Sequence, residues 1–308
     1  MSKILTLTFS PSIDKSASVK ALIPDKKMHC SNLNAEPGGG GVNVARVIQR
    51  LGGDVAAVFP SGGHVGKLFN DLLTAENVVF ECIETKNETR ENFVIQDLKT
   101  KQEFRFGMPS NALFDNEWKA CLTIIEKQEN IDFIIASGSL PPCVPMDIYG
   151  QLSNIAKSKN AKFIVDTSGE ALKNAIDEGV YLLKPNLEEL GILINKKDLK
   201  IKDIELAARK LIKNNNIEII VVSLGANGAM LVTKNECHTI KAPKVKVKST
   251  VGAGDSMMAG IVFGLSQKLN LHDCLQLGIA CGTATTMNLG SALCQKSDVE
   301  KLLTLMKK

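Results

Sequence analysis

Ile131-Asp132-Phe133-Ile134-Ile135-Ala136-Ser137 is a short, mostly apolar run that ends in a polar residue. Three later runs repeat the pattern: Lys162–Asp166, Tyr181–Lys184 and Ile217–Ser223, with helical segments between them. Short apolar runs that alternate with helices are the mark of βαβ units and of a parallel sheet covered on both faces. Ile4–Thr8 and Asp54–Phe59 carry the pattern toward the N-terminus. The expected fold is α/β, a doubly wound and mostly parallel sheet. Such sheets bind ligands in the crevice beyond the carboxyl ends of their strands. Ser137, Asp166, Lys184 and Ser223, which end these runs, would line that crevice.

Two segments break the alternation. Residues 12–36 are polar, with short alternating pieces at Ala17–Val19 and Cys30–Asn34. Residues 86–107 hold two more, Asn92–Gln96 and Glu103–Phe106, joined by the turn Asp97–Gln102. We expect 12–36 and 86–107 to form one small β-sheet lid outside a main domain made of 1–11, 37–85 and 108–308. A small sheet standing off a core exposes edges and an apolar face. Pairing with a second lid would cover them, so a homodimer is expected.

Glycine-rich stretches mark two further points. Pro37-Gly38-Gly39-Gly40-Gly41 breaks the chain before a helical pattern, Val42–Leu51, with Asn43 in its first turn. Ser249-Thr250-Val251-Gly252-Ala253-Gly254-Asp255-Ser256 opens into an apolar helix. Such a loop lets a ligand approach the backbone, and the free N–H groups of the helix start favour an anion. On its own, Asp255 reads as the N-cap of that helix. Gly62–Gly66 reads as another loop, and Leu224–Ala229 as a turn into a hairpin. Lys244, Lys246 and Lys248 alternate with valines and, with Lys241, read as an exposed strand kept soluble by its lysines.

Composition excludes several classes. A net charge of +4 suits anionic small molecules and is too weak to argue for nucleic acid, and the 5% aromatic content shows no interleaved module. No apolar run approaches ~20 residues, so no membrane span is expected. The N-terminus runs directly into a strand with no signal segment, and the eight cysteines are scattered without a C-x-x-C pair. Both features suit a reduced, cytoplasmic setting. The four histidines are isolated, so no His/Cys metal cluster is expected. Gly62–Lys67 is too short for a Walker A loop, and Met257 stands where a third dinucleotide-binding glycine would be.

Taken in order, these stretches form a set. Gly38–Ala45 resembles the N-terminal signature of the ribokinase-like PfkB carbohydrate kinases, and Ser249–Ser256 resembles their C-terminal signature. Lys184-Pro185-Asn186-Leu187-Glu188-Glu189 is similar to the family's Asn-x-x-Glu segment, and Ser223-Leu224-Gly225 to its nucleotide-side turn. Gly138–Pro142 and Asp166–Gly169 are similar to members acting on phosphosugars. The resemblance spans essentially the whole chain. It implies an ATP-dependent sugar-phosphate kinase. The uninterrupted glycine run at Gly40, with Phe59-Pro60 and Arg105-Phe106, is most similar to members that convert fructose 6-phosphate to fructose 1,6-bisphosphate in glycolysis. Many members acting on tagatose 6-phosphate or fructose 1-phosphate, the two alternatives, carry a lysine in that run. A non-catalytic sugar-phosphate sensor on the same fold is a more distant alternative, since Asp255 and its glycines are intact.

The resemblance also implies roles. Asp255 would be the catalytic base, with Gly252, Ala253 and Gly254 forming an anion hole. Its place at a helix N-terminus would make it a weak base, because the dipole stabilises its charge. Asp14, Gly39, Gly40 and Asn43 would hold the sugar, and Lys27, Arg90 and Ser139 the phosphate already on it. Lys184, Asn186, Ser223, Gly225 and Gly228 would bind ATP. Glu189, sharing a face with Asn186 on a helix starting at Pro185, would hold Mg2+ through water. Ser249, Val251, Asn288 and Gly290 match the loops that bind K+ in many members. Ala292 departs from the pattern there, which carries an arginine.

Overall fold

The computed structural model describes residues 2–307. The chain opens with β1 (Lys3–Leu7), then leaves the main body through β2 (Ser12–Val19) and β3 (Ser31–Gly38). It returns through α1 (Gly40–Leu51), β4 (Asp54–Ser61), α2 (Gly63–Ala75) and β5 (Val79–Glu84). A second excursion, β6 (Arg90–Asp97) and β7 (Glu103–Phe106), precedes α3 (Asp115–Lys127). The regular half follows: β8 (Phe133–Ser137), α4 (Ile148–Ser158), β9 (Lys162–Asp166), α5 (Gly169–Glu178), β10 (Val180–Leu183) and α6 (Leu187–Leu193). Then come α7 (Ile204–Asn214), β11 (Ile217–Ser223), β12 (Ala229–Val232) and β13 (Cys237–Ile240). The helices α8 (Ala253–Ser266), α9 (Leu271–Thr286) and α10 (Lys296–Met306) close the fold.

Nine strands form the main sheet in the order β13-β12-β11-β10-β9-β8-β1-β4-β5. All neighbours are parallel except β11–β12 and β12–β13. Helices cover both faces. One apolar cluster joins the sheet to α1, α2, α8, α9 and α10, the other to α3, α4, α5 and α7. Within β1, Ile4 belongs to the first cluster and Leu5 and Leu7 to the second. Burial on both sides is why these strands read as continuous apolar runs. The chain winds from β1 outward to β4 and β5, then returns to the other side of β1 with β8. Their neighbouring carboxyl ends form the topological switch point where a crevice must open.

The second sheet has the order β3-β2-β6-β7. β2 pairs in parallel with β6, from Ser12 opposite Arg90 to Val19 opposite Asp97, and antiparallel with β3. These strands are longer than their sequence suggests. β2 starts at Ser12, and β3 runs on through Pro37 to Gly38. Proline is tolerated there because β3 is an edge strand. Phe93 pairs with Phe106, and Ile95 with Phe104, on one face of the sheet.

Other elements also depart from the expectation. β5, an edge strand with a mostly exposed pattern, carried no readable apolar run. Gly63–Gly66 is the first turn of α2, not a loop, and Gly66 N–H donates to Gly62 O at 2.9 Å. Lys241–Lys248 is not a strand, for β13 ends at Ile240. Pro243 cannot donate to a ladder there. Among the described residues, no helix is long and apolar enough to cross a membrane.

Candidate active site

The loop before α8 takes its shape from Gly252, whose φ of 72° is left-handed and which occupies the N-cap position itself. Asp255 is therefore not the cap. It is the third residue of the helix, and its Oδ2 accepts a hydrogen bond from Asn43 Nδ2 at 2.8 Å. Burial pushes its carboxyl up to about 6, Asp166 and Asp14 add to the rise, and Asn43 and Lys184 oppose it. The carboxyl is thus raised, not lowered as the helix start alone would have it, with loss of hydration as the largest cause.

Asp255 lies in a cleft of about 340 Å3 beyond β1 and β8. Asp14 is buried on its lid side, where Ser12 Oγ and Asn92 Nδ2 each donate to Oδ1 at 2.9 Å. Gly39 has a φ of 112°, and a Cβ on Gly40 would stand 2.2 Å from Ser137 Oγ. The glycines thus bring the start of α1 against the end of β8. Asn43 follows in the first turn, and Gly39, Gly40 and Asn43 all line the cleft. Ser139 stands exposed at its rim.

The lid's cation in this cleft is Arg90. Its Nη1 donates to Met108 O at 3.0 Å and its Nη2 to Ser10 O at 3.2 Å, while Nε is buried without a partner. Burial holds its guanidinium below the usual arginine range, against the pull of Asp14. Lys27 is not brought to this cleft. It lies in the exposed segment after β2, and eight extended residues carry the chain ~26 Å from Ser12 before that segment begins.

A second cleft, of about 570 Å3, opens on the other side of the loop. Ser223, Gly225 and Gly228 form one wall, and Val245, Val247, Met257 and Ile279 give it an apolar interior suited to a flat base. The segment expected to be a lysine-bearing strand lines this cleft instead. Thr250, Ala253 and Gly254 face it, whereas Val251, Gly252 and Asp255 face the first cleft. One loop is the partition between two binding spaces.

Lys184 stands at that partition. It is buried, its Nζ lies 3.1 Å from Asp166 Oδ2, and a Cβ on Gly254 would be 3.4 Å from Nζ. Burial pulls its ammonium down, but Asp166, then Asp255 and Glu189, hold it above the usual lysine range. A fixed positive charge therefore sits beside the amides that open α8. The sequence puts Asp166 at a strand end lining the crevice, as found, but gives it no role there, and it does not point to Asn92 or Ser12. It also missed the bond from lid residue Arg105 Nη2 to Thr250 Oγ1, 2.8 Å long. No local motif marks Ser12 or Asn92, and none pairs Arg105 with Thr250.

Asn186 and Glu189 form a capping box. Glu189 N–H donates to Asn186 Oδ1 at 2.9 Å, and Asn186 N–H donates to Glu189 Oε2 at 2.8 Å. The helix thus begins at Leu187, with Asn186 as its cap, not at Pro185. Glu189 lines the first cleft, whereas the Asn186 side chain is committed to the cap. Among the described residues no group of three or more His, Cys, Asp or Glu side chains could hold a metal. A single glutamate oxygen fits Mg2+, which keeps most of its waters and leans on substrate phosphates.

Ser249 and Asn288 lie on adjoining loops, tied by Lys248 N–H donating to Thr286 O at 2.8 Å. Asn288 Nδ2 donates to Ala284 O and Leu293 O, at 3.4 and 3.3 Å. With that side chain engaged, the carbonyls of Ser249, Val251, Asn288 and Gly290 are the donors such loops can offer, and hard oxygens suit K+.

Two clefts parted by a glycine-rich loop with a raised carboxylate suit group transfer between a nucleotide and a polar acceptor. Residues 9–298 match the pfkB family carbohydrate kinases, and the chain belongs to that family. Among its relatives, the ATP-dependent 6-phosphofructokinase isozyme 2 of Escherichia coli (strain K12) is 38% identical over 303 residues, 98% of either chain. The structure of the phosphofructokinase-2 from Escherichia coli in complex with substrates and products matches with a TM-score of 0.96 at 37% identity, over 99% of this chain and 100% of that one. The structure of the tetrameric inhibited form of phosphofructokinase-2 from Escherichia coli matches with a TM-score of 0.93 at 36% identity, over the whole of both chains.

Proposed function

We propose that this protein transfers the γ-phosphoryl group of ATP to fructose 6-phosphate, giving fructose 1,6-bisphosphate and ADP, as a glycolytic step in the cytoplasm. The observation that carries the reading is Asp255, held by Asn43 on the loop that both clefts share. The sugar lies in the first cleft, with Asp14 accepting from its hydroxyls and Arg90 facing its phosphate. ATP lies in the second, its base between the apolar walls and its phosphates toward Lys184 and Gly254. The acceptor hydroxyl gives its proton to Asp255 as its oxygen takes the phosphoryl group. The amides opening α8 and the Lys184 ammonium stabilise the charge on the transferring group. Mg2+ bound through Glu189 and K+ between the 249–251 and 288–290 loops would add positive charge to the phosphates and to the loop.

Fructose 6-phosphate is favoured over tagatose 6-phosphate and fructose 1-phosphate because the uninterrupted glycine run at Gly40 resembles that of members acting on it, and because the 6-phosphofructokinase relative is 38% identical against 31% for a 1-phosphofructokinase and 32% for a tagatose-6-phosphate kinase. Comparing kcat/KM across the three sugar phosphates tests the choice. Preference for fructose 6-phosphate is expected. An enzyme about tenfold better with tagatose 6-phosphate would contradict it.

The same reading includes a homodimer through the lid. Leu33, Phe93, Phe104 and Phe106 are exposed on that sheet, Leu33 by 79%. A second lid would cover them. The tetrameric form of the Escherichia coli enzyme fits assembly beyond this pair. All eight cysteines are free, which suits the cytoplasm.

A further inference from the structure

Arg46 is the largest fully buried side chain among the described residues. It lies in α1 among Val42, Val44, Val47 and Ile48, where an apolar residue would pack without the cost of burying a charge. Its fork is divided. Nε and Nη2 face Glu76, with Nε 3.0 Å from Oε2 and Nη2 2.5 Å from Oε1. Nη1 turns toward the site, donating to Pro37 O at 2.7 Å and to Asn43 Oδ1 at 3.4 Å. Glu76 is itself fixed from a second side, since Arg50 Nη2 donates to its Oε2 at 3.0 Å and Arg50 Nη1 to Leu293 O at 3.1 Å.

A guanidinium can only donate. The Asn43 atom that faces it must therefore be the amide oxygen, and the amide nitrogen must face Asp255. A flipped amide would set its oxygen against the Asp255 carboxylate and its N–H groups against the guanidinium. We infer that Arg46 is a positioning residue for the phosphoryl transfer, holding the Asn43 amide in the one orientation that donates to Asp255. The inference rests on the function proposed above. It explains why the buried charge is placed three residues from Asn43, on the same face of α1. Asp255 also faces Asp14, Asp166 and Lys184. With two like charges present, the Asn43 donor is needed to keep the carboxylate ionised, and losing it makes the base harder to deprotonate.

The test is a double-mutant cycle on the full chain, with kcat, KM and pH profiles for wild type, Arg46→Lys, Asn43→Ala and the pair, and a melting curve for each. Lysine keeps the charge beside Glu76 but cannot divide its donors between Glu76, Pro37 and Asn43. Arg46→Lys is expected to lower kcat about tenfold and move the acid limb of kcat/KM upward, whereas in the Asn43→Ala background both effects vanish. Equal losses in both backgrounds, or an unmoved limb, would overturn the inference while leaving the proposed function standing. If Arg46→Lys does not fold, Glu76→Asp, which draws the guanidinium away from Asn43, is read by the same two criteria. A wild-type protein that phosphorylates no sugar phosphate would overturn the proposed function and this inference with it.

Discussion

Asn43 and Asp255 are 212 residues apart in sequence, yet Asn43 Nδ2 and Asp255 Oδ2 are 2.8 Å apart in space. That bond joins the first turns of α1 and α8, and so the two glycine-rich loops. One loop is fixed against β8 at the sugar cleft, and the other walls the nucleotide cleft. On the proposed reading, in which Asp255 is the base, the bond sets where it meets the acceptor hydroxyl, an alignment to which transfer rates are steeply sensitive.

Raised to about 6, Asp255 gives kcat/KM an acid limb near that pH, because the carboxylate must be ionised to accept a proton. Activity is expected to fall as pH drops through 6, in a profile taken at saturating ATP. The effect on stability has the opposite direction. The folded value lies above the ordinary 3.8, so this carboxyl's contribution is complete below about pH 4 and is lost as pH rises through 6. At pH 7.5 the loss is roughly 3 kcal/mol. Asp255→Asn is therefore expected to melt higher than wild type at pH 7.5, with the gap closing at pH 4, as followed by calorimetry.

Removing the ammonium in Lys184→Met should lower kcat/KM for ATP by about 100-fold, the scale for losing one preorganised donor to developing charge. KM for the sugar phosphate should hold. The variant also strands Asp166, which is bonded at 3.1 Å and largely buried, so urea unfolding should register a loss of about 3 kcal/mol.

Gly40→Ala puts a methyl group 2.2 Å from Ser137 Oγ and 3.0 Å from Gly138 N. Backbone on one side leaves little room to yield. The expected result is a KM for the sugar phosphate raised about tenfold and a destabilisation of ~1–3 kcal/mol. Gly107→Ala, whose Cβ would meet nothing within 4 Å, serves as the control and should leave both unchanged.

What the sequence made legible follows from how each signal arises. Burial on both faces turns β8, β9 and β11 into apolar runs, so the main sheet could be read directly. Gly39, Gly40 and Gly252 are demanded by close approach or by positive φ, so the loops stood out. The lid strands are polar and take their length from pairing with each other, which leaves little trace in the residues of β2. The Lys184–Asp166 pair was hidden for another reason. Each closes a strand with a polar residue, and only the sheet order β10-β9 makes them neighbours. Lys27 is placed at the phosphate only by the family resemblance, and β2 carries it away from the cleft of its own chain.

Asn92 gives a test of the lid's contribution. Its Nδ2 donates to Asp14 Oδ1 at 2.9 Å and to Ser12 Oγ at 3.1 Å, and its Oδ1 accepts from Met108 N–H at 3.1 Å. Asn92→Ala frees the Asp14 carboxylate to rotate. Steady-state kinetics should show KM for the sugar phosphate rising about tenfold with KM for ATP unchanged, the pattern of lost uniform binding.

The most direct test of the account is turnover by Asp255→Asn with saturating ATP and fructose 6-phosphate. Asparagine keeps the size of the side chain but cannot take the proton. The expected result is a kcat lowered by about 10²–10⁴, with KM for both substrates within a few fold of wild type. A kcat close to wild type would contradict Asp255 as the base, and with it the role given to the loop that divides the two clefts.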